Sequence, residues 1–237
     1  MSVEAVRALI DQARSIVVLT GAGISAESGV PTFRGPGGLW RDYRAEDLAT
    51  PEAFTRDPRL VWEWYDWRRR KMAEAKPNLA HYALVTLEKR APELTLVTQN
   101  VDGLHALAGS RSLLEIHGSL WRTRCGSCRE VREDRRTPMP AIPPRCACEG
   151  LLRPDVVWFG EPLPFDVARK SFVAIGSCDL MLVIGTSGVV QPAASMATMA
   201  LERGVPVVEI NAEPTPLTEG ATYALQGRAG EILPGLI

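Results

Sequence analysis

Short, unbroken apolar runs alternate along the chain with longer stretches in which apolar residues recur every three or four positions. Ile16-Val-Val-Leu-Thr20, Leu94-Thr-Leu-Val-Thr98, Leu113-Leu-Glu-Ile116, Leu180-Met-Leu-Val-Ile184 and Val205-Pro-Val-Val-Glu-Ile210 are of the first kind. Their length and β-branched content predict buried strands. In the second kind, Val6, Leu9, Ile10 and Ala13 predict an amphipathic helix within 3–14. Leu79, Tyr82, Ala83 and Leu87 predict another over 78–90, and 192–202 a third. Residues 51–75 also read as helical, with an aromatic middle from Val61 to Trp67, and Pro77 ends that segment. Val156-Val-Trp-Phe159 reads as extended. Strands alternating with helices predict an α/β fold with a doubly wound, mostly parallel sheet.

Two stretches break this rhythm. Pro36-Gly-Gly-Leu-Trp40 is a breaker cluster and predicts a loop. Residues 122–153 carry four prolines, many charges and little apolar material, too little for a core of their own. That second stretch also holds Cys125-x2-Cys128 and, seventeen residues on, Cys146-x-Cys148. Four thiols in two close pairs are a donor set for a closed tetrahedral zinc site, although the second pair is one residue shorter than the commoner C-x2-C. A zinc-ribbon module inserted into the main fold is therefore expected. Cys178, just before a buried strand, reads as a small buried residue.

Composition narrows the class. With 237 residues, 46% of them apolar and 23% charged, the chain is of globular type. A net charge of −1 offers no whole-molecule attraction for nucleic acid or anionic membranes. Apolar runs stay far below the ~20 residues of a membrane span, and the first residues lack the charged-then-apolar pattern of a signal peptide. A cytoplasmic protein without membrane or nucleic-acid partners, monomeric or weakly associated, is the expectation.

The candidate chemistry gathers where strands end. Gly21, Gly23 and Ala26 follow the first strand at the spacing G-x-G-x-x-A, which suits a tight turn, an approach of backbone to a diphosphate, and close helix packing. Such a pattern is by itself either a turn or a dinucleotide site. No acidic residue stands at a second strand end about 20 residues later, as a hydride-transferring enzyme would place one. Gln99, Asn100 and Asp102 follow the second strand, on the edge where open α/β sheets collect ligands. His117 follows the third.

Three blocks, Gly21 to Gly35, Thr98-Gln-Asn-Val-Asp-Gly-Leu-His105 and Ile116-His-Gly118, resemble the sirtuin family of NAD-dependent protein lysine deacylases. The resemblance implies a Rossmann-like NAD-binding part over 1–35, 81–121 and 154–237, a helical module over 36–80, and the zinc module over 122–153. It implies that NAD is consumed as a co-substrate, that His117 is the general base, and that Asn100 shares in catalysis. Gly21, Ala22, Gly23, Ile24, Phe33, Arg34, Trp40, Gln99, Asn100, Val101 and Asp102 would contact NAD on one side. Gly185, Thr186, Ser187, Asn211, Ala212, Glu213 and Ala229 would do so on the other. The segment from Ser25 to Arg34 would be a mobile cover over nicotinamide. His105 would support the loop, and His81 receives no role. Acylated lysine side chains of proteins would be the substrates, held by Val157, Trp158, Phe159, Gly160 and Glu161. Tyr65 and Arg68, three apart on one helix, look like the pair with which one sirtuin subgroup recognises succinyl, malonyl or glutaryl groups, and Ala49 would widen that pocket. An arginine fork matches a carboxylate. Two other functions are open: mono-ADP-ribosyl transfer, and NAD binding without catalysis.

Overall fold

A computed structural model describes residues 2–31 and 45–237. In chain order it contains α1 (Ser2–Gln12), β1 (Ser15–Thr20), a 3₁₀ helix (Ala22–Ser28), α2 (Ala45–Leu48), α3 (Pro51–Arg56), α4 (Pro58–Glu74) and α5 (Leu79–Arg90). There follow β2 (Glu93–Thr98), α6 (Leu104–Ala108), β3 (Leu113–Glu115), β4 (Gly118–Cys125), β5 (Val131–Glu133) and β6 (Leu152–Val156). The chain closes with α7 (Phe165–Ser177), β7 (Leu180–Ile184), α8 (Ala193–Glu202), β8 (Val207–Asn211), β9 (Tyr223–Gln226) and α9 (Ala229–Leu236).

Six parallel strands form the main sheet in the order β3-β2-β1-β7-β8-β9. This is the doubly wound Rossmann order, with its topological switch between β1 and β7. Adjacent residues of β1 feed different cores. Ile16 and Val18 pack with Leu96, Leu182 and helices α1, α5 and α9, whereas Val17 and Leu19 pack with Val97, Val183 and helix α8. A strand covered on both faces needs apolar residues at every position, which is why the runs are unbroken.

The second lobe is built differently. A three-stranded antiparallel sheet, β5-β4-β6, packs on the helices of 45–74, and one apolar cluster serves both. It joins Leu48, Ala53, Trp62 and Tyr65 to Leu120, Trp121, Met139 and Leu152. The cysteine-bearing stretch thus shares a core with the helices.

Several local expectations need correction. The helical stretch 51–75 is two helices, because Asp57 leaves helical geometry and caps α4 through Leu60 N, at 2.9 Å, while Pro58 takes the first turn, where its missing N–H is harmless. Only Val156 of the extended segment remains in a strand. Trp158 to Glu161 turns back on itself, with Glu161 N donating to Trp158 O at 3.0 Å and the Trp158 amide donating to the Glu161 carboxylate at 2.9 Å. Ser25 does not belong to a cover: it lies in the 3₁₀ helix and is fully buried, as is Ile24. Phe33, Arg34, Trp40 and the expected loop at 36–40 lie outside the described residues.

Candidate functional site

A cleft of about 1030 Å³ runs along the C-terminal edge of the parallel sheet and under the second lobe. Strand exits form its floor. Gly21 N donates to Ile184 O at 3.0 Å and Gly23 N to Gly185 O at 2.7 Å, so the loops after β1 and β7 are bonded backbone to backbone. A Cβ on Gly21 or on Gly23 would stand 2.8 Å from Gly185 O. These glycines therefore serve the closeness of the two loops, and their two amides are spent there. This is a finer role than the spacing alone conveys.

The exit of β2 is fixed by side chains. Asn100 Nδ2 donates to Gly21 O at 3.0 Å and to Ser25 Oγ at 3.2 Å, and Ser25 Oγ donates to Asp102 Oδ2 at 2.8 Å. Asp102 also accepts from Leu104 N at 2.8 Å, and its backbone carbonyl accepts from Trp121 Nε1 at 2.6 Å. Burial raises the Asp102 carboxyl above its ordinary value. Gln99 Nε2 donates to Thr186 Oγ1 at 2.9 Å, and Asn211 Nδ2 to Thr186 O at 2.9 Å, which ties the exits of β2, β7 and β8 together.

His117 stands between β3 and β4 on the cleft wall. Its carbonyl accepts from Val157 N at 2.9 Å, and Gly118 follows with φ of +78° where the chain turns into β4. His117 Nδ1 lies 3.1 Å from Gln99 O. A carbonyl oxygen only accepts, so Nδ1 carries the proton and Nε2 is left as the basic nitrogen. Burial lowers the imidazole below its usual value, which keeps it neutral near pH 7.

On the second lobe, Ala49, Tyr65 and Arg68 line the same cleft with Val157, Trp158, Phe159, Gly160 and Glu161. Tyr65 and Arg68 are only 2% and 4% exposed. Trp158 Nε1 donates to Tyr65 Oη at 2.9 Å, which fixes the phenol. The Arg68 guanidinium stacks 4.7 Å from the Trp64 ring and 5.3 Å from the Tyr65 ring. Burial pulls its pKa down, and the delocalised guanidinium stays a cation.

Of the described residues expected at the site, Ile24 and Asp102 sit behind the wall, Ile24 in the apolar core and Asp102 against Ser25. The others line the cleft, and Gly227, Arg228, Gln191 and Thr215 join them without having been expected. Ser25 was also missed as a site residue. Its position inside the glycine block was the available signal, but a buried hydroxyl looks like any loop serine in sequence.

The cysteines converge. All four Sγ atoms lie within 4.8 Å of one another, with 3.5 Å between Cys125 and Cys148 and 3.8 Å between Cys128 and Cys146. Zinc–thiolate bonds of ~2.3 Å require tetrahedral edges of roughly 3.8 Å. The set fits that ion, short second pair included. Backbone N–H donation from Cys128 lowers the Cys125 thiol to about 6, which favours the thiolate.

Residues 21–192 match the model of the Sir2 family. The chain is 55% identical to NAD-dependent protein deacylase 2 of Pyrobaculum aerophilum, over 97% of this chain and 92% of that protein. It is 48% identical to the mitochondrial NAD-dependent protein deacylase sirtuin-5 of Danio rerio, over 94% of this chain and 82% of the relative. Among solved structures, a Sir2 homologue in complex with NAD superposes with a TM-score of 0.94 at 49% identity, covering 98% of this chain and 91% of that one. A mutant Sir2 homologue bound to 2′-O-acetyl ADP ribose gives 0.93 at 49% identity, covering 98% and 94%.

Proposed function

The chain belongs to the Sir2 family, and from that premise we propose that it is an NAD-dependent protein lysine deacylase preferring acyl groups that end in a carboxylate. One observation carries the reading: a single cleft holds a neutral histidine with a free basic nitrogen and, on its other wall, the buried Tyr65 and Arg68.

The overall reaction takes acyl-lysine, NAD and water to free lysine, nicotinamide and 2′-O-acyl-ADP-ribose. The floor fits NAD by its size and position: 1030 Å³ at the topological switch is the place and scale of a dinucleotide site. Gly21, Ala22 and Gly23 with Gly185, Thr186 and Ser187 would border the diphosphate. Asn211, Ala212, Glu213 and Ala229 would border the adenosine end. Gln99, Asn100 and Val101, tied to these loops and next to His117, would border the nicotinamide ribose, with Ile24 and Asp102 behind them. His117 Nε2 would take the proton from a ribose hydroxyl as that oxygen attacks the acyl carbon.

Arg68 would hold the distal carboxylate through its fork, with the Tyr65 hydroxyl oriented by Trp158 as a further donor. Ala49 leaves room for the longer chain, while acetyl, being smaller, still fits. The four cysteines would hold one structural zinc ion, which closes the ligand set and supplies no open position for chemistry. Among the described residues no helix is long and apolar enough to cross a membrane. A cytoplasmic location and a monomeric or weakly associated state are part of the proposal.

The test is incubation with NAD and matched acetyl-, malonyl- and succinyl-lysine peptides, with His117→Ala as control and mass spectrometry of the products. Arg68→Met should depress desuccinylation by about a hundredfold and deacetylation by less than about threefold, the loss expected for one charge-assisted pair. Equal losses would sink the carboxylate reading. ADP-ribose on the protein itself, or NAD binding without nicotinamide release, would replace deacylation with one of the other two functions.

A further inference from the structure

Helix α4 presents two working faces. Tyr65 and Arg68 meet the cleft, whereas Trp62, Asp66 and Arg69, at i, i+4 and i+7, form a stripe roughly a quarter turn away. That stripe is bonded to the antiparallel module. Trp62 Nε1 donates to Leu152 O at 2.7 Å, Met139 N donates to Asp66 Oδ1 at 2.7 Å, and Arg69 donates to the backbone carbonyls of Asp134 and, at 3.1 Å, Arg136. The Arg69 side chain is 1% exposed, lies 3.4 Å from the Asp134 carboxylate and stacks 5.5 Å from the Trp121 ring.

Arg69 is an expensive residue to keep here. All its hydrogen bonds leave from Nη2, while Nε and Nη1 are buried with no partner among the described residues. A buried, half-satisfied guanidinium lowers stability relative to an apolar side chain of similar volume. Asp134 does not need it, since Arg136 already pairs that carboxylate at 2.6 Å and 3.0 Å. What Arg69 adds is geometric: a fixed angular setting of α4 one residue from Arg68.

We propose that Arg69 is a positioning residue for acyl selection, locking α4 to the β4–β6 module so that Tyr65 and Arg68 face the cleft at a fixed angle. The inference rests on the acyl reading above, and it makes selectivity a property of the joint between helix and antiparallel sheet. A carboxylate fork requires angular precision that an acetyl group does not.

The experiment compares wild type, Arg69→Met and Arg69→Lys in steady-state kinetics with succinyl- and acetyl-lysine peptides at saturating NAD. Amide hydrogen exchange over 58–74 and bound zinc are measured in parallel. Arg69→Met should lower the succinyl-over-acetyl ratio of kcat/KM about tenfold, through KM for the succinyl peptide, with faster exchange around Tyr65–Arg68 and zinc retained. Arg69→Lys, which keeps charge but lacks the planar fork, should fall between. A merely structural role would lower both substrates equally and leave the ratio intact, and that result overturns the proposal. If wild type itself shows no preference for succinyl, the acyl reading fails, and the exchange data then decide: unchanged protection at 64–69 in Arg69→Met overturns the lock as well.

Discussion

Acidification should destabilise this protein through two buried histidines that do not line the cleft. His81 and His105 are 0% and 2% exposed, and their rings pack tilted at 55° with centroids 4.8 Å apart. His81 Nδ1 is engaged by Asn78 in the cap of α5, and His105 Nε2 meets Thr20 Oγ1 at 3.0 Å. His81 Nε2 and His105 Nδ1 have no partner among the described residues, so a proton added to either ring would be a buried charge without an acceptor. Burial holds His81 down at about 4 and His105 at about 3, the latter also by repulsion from His81. Both folded values lie below the unfolded 6.5. The unfolded chain therefore binds more protons in this window, and stability, complete above pH 6.5, is lost as pH falls toward the folded values. At pH 5 each histidine costs about 2 kcal/mol, and the pair about 4 kcal/mol. Urea denaturation at pH 7, 6 and 5, followed by tryptophan fluorescence, gives the slope. His105→Gln should remove about half of the pair's loss, whatever its effect at pH 7. An unchanged pH dependence in that variant would refute the reasoning, since other titrating groups are common to both proteins.

Two further outcomes follow from the geometry. Gly118→Ala meets two obstacles, φ of +78° and a Cβ that would overlap the Asp155 carbonyl, whereas Gly109→Ala, at φ of +110°, meets open space. By chemical denaturation the first should lose at least about 2 kcal/mol more than the second, and it alone should lose activity with His117 displaced. The purified protein should carry one zinc per chain by atomic absorption. Removing it with a chelator, or Cys128→Ser, should loosen the core shared by Trp62, Trp121 and Trp158, read as a lost near-ultraviolet tryptophan signal while the parallel sheet keeps its far-ultraviolet signal.

Much of this was legible beforehand because both-face burial writes itself into sequence. Ile16–Leu19 and Leu180–Ile184 had to be apolar at consecutive positions, and polar residues after such runs had to stand at the ligand edge. Cysteine spacing was equally direct, since a tetrahedral site constrains loop length. Edge elements were silent for the opposite reason. Strand β9 has one buried residue, Leu225, too few to display a period, and only Ser171 and Ile175 of α7 are buried. Helix α9 carries Pro234, a helix breaker in sequence, although Leu233 and Leu236 lie in the core. The resemblance put Ser25 in a cover and Ile24 against NAD, whereas both are fully buried. Their burial depends on packing against Asp102 and the α5 helix, contacts between residues far apart in the chain.

The backbone seam of Gly21, Gly23 and Gly185 has a consequence for how such a protein can diversify. Two loops touching without side chains between them cannot be altered one residue at a time, because a methyl group on any of these glycines collides with the other loop. New specificities must therefore be written on the opposite wall, at Ala49, Tyr65, Arg68 and Val157 to Glu161. There side chains rather than backbone do most of the contacting.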